Sequence, residues 1–213
     1  MSSYLRPVID APVFRDADGV VIEYGNRWAG GSPPEETYSV DKHPERFAPI
    51  HAIADALIAH LNDVYDVELT AHIEVATDLI HPAPDVTRAV RVTPNDPSCA
   101  ALTFVFTSYP GVFLHAGLLH DFHYPVCGCD ACDETWESVA DELEQQVLAV
   151  ATGNYREIVE RGLRPGVGYA FTYPDGAASG RARAQDLPKP RLQKAKPLLQ
   201  ALRDGWSAWP RRS

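Results

Sequence analysis

The sequence predicts an α+β fold: an antiparallel sheet, with a meander around residues 86–124, packed against two amphipathic helices and carrying a docked C-terminal helix. Three observations predict it. Alternating, β-branched stretches separated by turn residues fill the middle of the chain. Two stripes of apolar residues at spacings of three and four flank them. A third, basic stripe of the same spacing follows near residue 200.

Residues 1–42 are an irregular N-terminal segment. Within it, residues 12–24 read as a short hairpin turning at Asp16-Ala17-Asp18-Gly19. This is not a calcium loop, because an EF-hand needs Gly at its sixth position and Glu at its twelfth, and Gly19 comes fourth. Residues 28–36, rich in Gly, Ser and Pro, form a loop. Pro44 opens the first helix, capped by Asp41 or His43, and Phe47, Ile50, Ala54, Leu57, Ile58 and Leu61 make one stripe. Residues 67–80 alternate and predict a strand, stopped by His81-Pro82-Ala83-Pro84. Residues 86–92 and 101–107 are strands, Tyr109-Pro110-Gly111 is a turn, and residues 112–124 are one further extended segment.

Trp136, Val139, Ala140, Leu143, Val147, Leu148 and Ala151 mark the second helix, which Gly153-Asn154 ends or interrupts. Its outer face is acidic and solvated. Residues 167–184, turning at Pro174-Asp175-Gly176, make a late hairpin. Leu192, Ala195, Leu198, Leu199, Leu202 and Trp206 set the C-terminal helix, which Pro197 starts or kinks. With no internal repeat and only Gly/Pro loops between elements, residues 1–213 read as one domain.

The formal net charge of −10 is unevenly spread. Residues 1–180 hold 10 basic against 27 acidic side chains (−17), and residues 181–213 hold 9 against 2 (+7). The acidic body repels phosphate backbones, which excludes general nucleic-acid binding by it. The basic C-terminal segment, 181–213, finds opposite charge in its own chain, which favours docking; an acidic protein partner is its alternative use. No apolar run approaches the roughly 20 residues that span a bilayer, and the first residues lack a signal peptide's apolar stretch. The expected setting is the cytoplasm, where thiols stay reduced.

The chemistry concentrates in residues 115–132, H-A-G-L-L-H-D-F-H-Y-P-V-C-G-C-D-A-C, which hold three of the four cysteines and three of the eight histidines. Ligands two to four residues apart in a tight turn meet tetrahedral zinc geometry. Cys127, Cys129 and Cys132 are the expected ligands; Gly128 lets the backbone fold so that Cys127 joins the pair. They precede the second helix, whose free N–H groups favour thiolate. The fourth ligand is His120 or His123, with a carboxylate such as Asp121 or Asp130, or water, as the alternative. A regular strand over 112–124 puts His115 and His123 on one face and His120 on the other, and a bulge at Gly117 changes that pairing. A Cys₃His shell is closed and structural, whereas Cys₃ plus water leaves a Lewis-acidic position.

Two rival readings use the same residues. Cys129-Asp130-Ala131-Cys132 is a C-x-x-C at a helix start, as in a redox switch, although a thioredoxin-like motif wants a preceding parallel strand. Metal-assisted hydrolysis or thiol oxidoreduction would take His115, His120 or Asp121 as acid/base partner. Cys99 reads as a buried small hydrophobe. His51, His60 and His72 read as core or surface groups, and Arg88 and Arg91 as solvent-facing strand residues. There is no G-x-S-x-G, no G-x-x-x-x-G-K-[ST] and no strand-bound G-x-G-x-x-G.

At Tyr38-Ser39, His43-Pro44-Glu45-Arg46-Phe47-Ala48-Pro49, Phe106-Thr107-Ser108-Tyr109-Pro110-Gly111 and Cys127-Gly128-Cys129-Asp130-Ala131-Cys132-Asp133-Glu134, the chain resembles a family of uncharacterised proteins from actinobacteria. The run CGCDACDE is its most specific signature. The resemblance spans most of the chain and implies a bacterial cytoplasmic protein with the cysteine cluster as its hallmark. It implies no activity and does not choose between His120 and His123.

Overall fold

The computed structural model describes residues 3–160, 166–202 and 204–212. Five strands, β1 (Val67–Ala71), β2 (Val86–Pro94), β3 (Leu102–Thr107), β4 (Val112–Ala116) and β5 (His120–Tyr124), pair in sequence order as an antiparallel meander. A second antiparallel sheet holds β6 (Tyr155–Val159), β7 (Gly166–Tyr173) and β8 (Gly176–Arg183). The α-helices are α1 (Pro49–Val64), α2 (Trp136–Ala151) and α3 (Lys189–Ala201). The fold is α+β, with the meander, the two packed helices and the docked C-terminal helix that the sequence predicts.

Alternation explains the layers. Leu102, Phe104, Phe106, Val112 and Leu114 point to the inner face, where they meet Ile50, Ile53, Leu57 and Leu61 of α1 and Leu143 and Val147 of α2, all essentially unexposed. Each such side chain contributes about 1.5–3 kcal/mol through its burial. On the outer face, Val75 and Leu79 pack against Ala89 and Val105. β3 is therefore buried along its whole length. Gly153, at φ 74°, ends α2 in a left-handed turn in which Asn154 N–H reaches the Ala149 carbonyl at 2.8 Å.

Several details depart from the sequence reading: Pro44 opens a 3-10 turn (Pro44–Phe47) without a side-chain cap while α1 starts at Pro49, and α3 ends at Ala201, ahead of Trp206. The segment 67–80 is not one strand: β1 stops at Ala71, and the 3-10 helix Ile73–Asp78 turns Val75 back onto the sheet. The segment 112–124 is two strands, because Gly117 takes φ 68°, a conformation open to Gly, and starts a hairpin turn between β4 and β5. β6 was not signalled by its mixed sequence YREIV; it exists by pairing with β7. α3 starts ahead of Pro197, with Pro190 in its first turn and Pro197 on an exposed face inside the helix.

The C-terminal segment docks mainly through apolar burial. Trp206 and Trp209 are buried, and their backbone N–H groups donate to the Tyr155 and Ala151 carbonyls at 3.1 and 2.9 Å. Cys99 is buried as expected, and its thiol donates to the Ala208 carbonyl at 3.3 Å. Among the described residues, the ion pair that residues 181–213 make is Arg181–Glu160, at 3.0 Å. Opposite charge is thus not what fastens the segment. No helix among the described residues is long and apolar enough to cross a membrane.

Candidate metal centre

The loop between β5 and α2 carries Cys127, Cys129 and Cys132, all unpaired by disulfide. Their sulfurs lie within 4.8 Å of one another, with Cys127–Cys129 at 3.2 Å and Cys129–Cys132 at 3.5 Å. Three thiolates around a tetrahedral zinc at about 2.3 Å would sit about 3.8 Å apart, so modest relaxation brings these sulfurs to that spacing.

The irregular N-terminal segment forms the wall of this loop. Asp130 N–H donates to the Val40 carbonyl at 2.7 Å, Ala131 N–H to Thr37 at 3.1 Å, and Trp28 Nε1 to Ala131 at 3.1 Å. Arg46, only 3% exposed, donates through Nη2 to the Gly128 carbonyl at 2.7 Å and through Nη1 to Asp41 at 3.0 Å. Its guanidinium also stacks over the Tyr24 and Phe47 rings. Buried Asp130 is balanced by Arg27 at 3.7 Å and Arg46 at 3.9 Å. Tyr109 Oη donates to Asp41 at 2.7 Å, and a Cβ on Gly128 would fall 1.9 Å from that oxygen. Position 128 therefore has room for hydrogen alone. Ser39 (φ 57°) and Asp133 (φ 55°) hold left-handed backbone on either side of the cluster.

The three thiols are electrostatically unequal. Donation from the Cys127 thiol draws Cys129 down to about 7 against opposing burial, with further donation from the Cys132 and Ser39 backbone N–H groups. Cys132 is pushed up to about 12 by its hydrogen bonds with Cys127 and Cys129, by burial and by their charge. Three thiolates so close resist simultaneous ionisation, and a divalent cation among them relieves that repulsion. Glu134 accepts the Cys127 N–H at 3.2 Å, and burial raises its carboxyl.

Among the described residues, the set of His, Cys, Asp and Glu side chains that meet here is the three cysteines, without a histidine. Strand alternation is the reason. His120 faces the core, where Nδ1 lies 2.8 Å from Glu157, a carboxylate that also accepts from Leu118, Leu119 and Trp206. His123 faces the opposite side, its ring 4.7 Å from that of Phe113. The division of His115 and His123 from His120 follows the sequence reading, although a hairpin produces it. Asp121 holds His115, and Asp130 serves as an anchor of the loop. The wall residues Arg46, Ser39, Asp41 and Tyr109 belong to no ligand motif, which is why cysteine spacing alone does not find them.

No curated protein and no solved structure matches the chain. The family of unknown function DUF6226 matches residues 10–213, all but the first nine positions of the sequence, and the protein belongs to that family.

Proposed function

We propose that the protein is a non-catalytic, zinc-stabilised α+β domain, cytoplasmic as the resemblance to actinobacterial proteins implies, in which Cys127, Cys129 and Cys132 bind one zinc ion. The observation that carries this reading is the convergence of three sulfurs within 4.8 Å on a loop already fastened to the N-terminal segment. Zinc there would fix the loop between β5 and the start of α2, to which the N-terminal segment is fastened, and add its binding energy to folding. The test is metal content after purification without added zinc: about one zinc per chain is expected, with loss of zinc and a lower Tm in Cys127→Ser, Cys129→Ser and Cys132→Ser. Parent protein that holds no metal removes the reading.

One observation favours a second reading. No protein side chain joins the three sulfurs as a fourth ligand among the described residues, so a bound metal would keep a Lewis-acidic position, as in a metal-dependent hydrolase. Exposed Cys132 beside half-buried Cys127 and Cys129 also suits a thiol oxidoreductase. Rapid alkylation of the protein as purified favours the thiol enzyme, and protection that a chelator abolishes favours metal.

A further inference from the structure

The outer face of the five-stranded sheet carries one transverse row of polar side chains. The register sets Thr70 opposite Arg91, Arg91 opposite Thr103, Thr103 opposite His115, and His115 opposite Asp121. Buried polar groups need partners, and two carboxylates supply them, Asp78 at the middle of the row and Asp121 at its β5 end. Asp78 accepts from Arg91 Nε and from Thr103 Oγ1, both at 2.6 Å, and Arg91 Nη2 completes a two-pronged pair with it. Asp121 accepts the Ile80 N–H at 2.6 Å on one oxygen and lies 2.7 Å from His115 Nδ1 on the other. Because both carboxylate oxygens accept, Nδ1 carries an imidazole proton, and in the neutral ring Nε2 is the free acceptor.

A cavity of about 490 Å³ lies between this row and α3, and Asp78, Arg91, Thr103, His115, Arg191 and Lys194 line it. That volume suits a small molecule. Arg191 Nη2 donates to the Thr77 carbonyl at 3.3 Å, while its Nη1 is buried with no hydrogen-bond partner. A buried guanidinium nitrogen without an acceptor is unfavourable until one arrives. Arg91 is neutralised by Asp78, whereas among the described residues neither Arg191 nor Lys194 pairs with a carboxylate. The cavity therefore has an excess of positive charge at its α3 wall and a hydrogen-bond acceptor at its sheet wall. Arg91, expected to face solvent, is instead part of this structure.

We propose that the cavity binds a small molecule with an anionic group, carboxylate or phosphate, held by Arg191 and Lys194, and a hydroxyl or amine that donates to His115 Nε2. Two charges of the basic segment thereby gain a counter-charge from the bound molecule. The site is separate from the cysteine cluster and does not depend on its metal.

Titrating the whole protein with inorganic phosphate, glycolate and acetate, followed by the imidazole and guanidinium NMR signals, tests the proposal. Saturable shifts of the His115 and Arg191 signals are expected. Saturation by phosphate assigns a phosphorylated ligand and saturation by glycolate a hydroxycarboxylate, and either upholds the site. Glycolate binds more tightly than acetate if His115 accepts from the hydroxyl; equal affinity overturns that part. Lys194→Gln, at an exposed position, and Arg191→Gln are each expected to weaken binding about tenfold, the order of one charge-assisted hydrogen bond. No saturable shift with any probe, or unchanged affinity in the folded double variant, overturns the proposal.

Discussion

Arg46 donates through Nη2 to the Gly128 carbonyl at 2.7 Å, so a residue of the 3-10 turn Pro44–Phe47 just ahead of α1 closes the loop that carries the three cysteines. The contact joins positions 82 residues apart. The irregular segment before Arg46 is held to the same loop, through the bonds of Val40, Thr37 and Trp28 with Asp130 and Ala131.

Removing the Arg46 side chain leaves Asp130, 1% exposed, with Arg27 as its one cationic neighbour among the described residues, and strands the Gly128 carbonyl. Arg46→Ala is expected to lower stability by about 3–5 kcal/mol, the range for breaking a buried ion pair from one side. Arg46→Lys keeps the charge and loses the planar fork, so its loss should be smaller. Urea unfolding of both variants checks this, and equal stability of Arg46→Ala and the parent would remove Arg46 from its anchoring role.

Asp78 provides the pH dependence. Burial pushes its carboxyl up, but hydrogen bonds from Arg91 and Thr103 together with the Arg91 charge outweigh that and hold it below the ordinary carboxylate range. With a lowered folded value, the unfolded chain takes up the proton first as pH falls. The contribution of Asp78 is therefore complete above its unfolded value of about 3.9 and is lost as pH drops through the folded value. Stability followed from pH 7 downward should be insensitive to this group to about pH 5 and decline below about pH 4. Asp78→Asn should flatten that decline in acid-titrated urea midpoints; an identical slope in the variant counts against the assignment.

Trp209 fastens the C-terminal segment. It is 3% exposed, its Nε1 donates to the Ala100 carbonyl at 3.0 Å, and its ring meets Tyr65 edge-on at 5.7 Å. Trp209→Ala is expected to cost about 3–5 kcal/mol, as for other fully buried aromatic truncations. Trp209→Phe, which keeps most of the packing and strands the Ala100 carbonyl, should cost about 1–3 kcal/mol. Thermal unfolding ranks the two, and the reverse order would show that the hydrogen bond and not the ring holds the segment.

Much of this was legible in the sequence where one periodicity governs one element. The stripe from Phe47 to Leu61 and the alternation of residues 86–107 become α1, β2 and β3 because each buries its apolar face directly. Residues 112–124 misled because the turn rests on Gly117 without a second turn residue to announce it. The three cysteines were legible from spacing, and the segments around Ser39, Tyr109 and Cys127 that carry the family resemblance meet at the cluster. The row from Thr70 to Asp121 was not legible. Its five members come from five strands, and only the register brings them into line.

The bond between Val40 and Asp130 also makes a ring of sequence, with α1 and all five strands of the larger sheet inside it. The entropy of closing such a ring grows only logarithmically, about 0.6 kcal/mol for each doubling of its length. A ring of about ninety residues thus costs about 2 kcal/mol more to close than one of about ten. Opening it loosens the stretch around Thr37 and Val40, while Tyr4 and Arg6 still bond Glu144 and the enclosed sheet keeps its own hydrogen bonds, a sub-global motion separate from unfolding. Anything that binds the three sulfurs acts on that opening first, and slower amide exchange at Val40, Asp130 and Ala131, ahead of any change in β3, is where its effect would be seen.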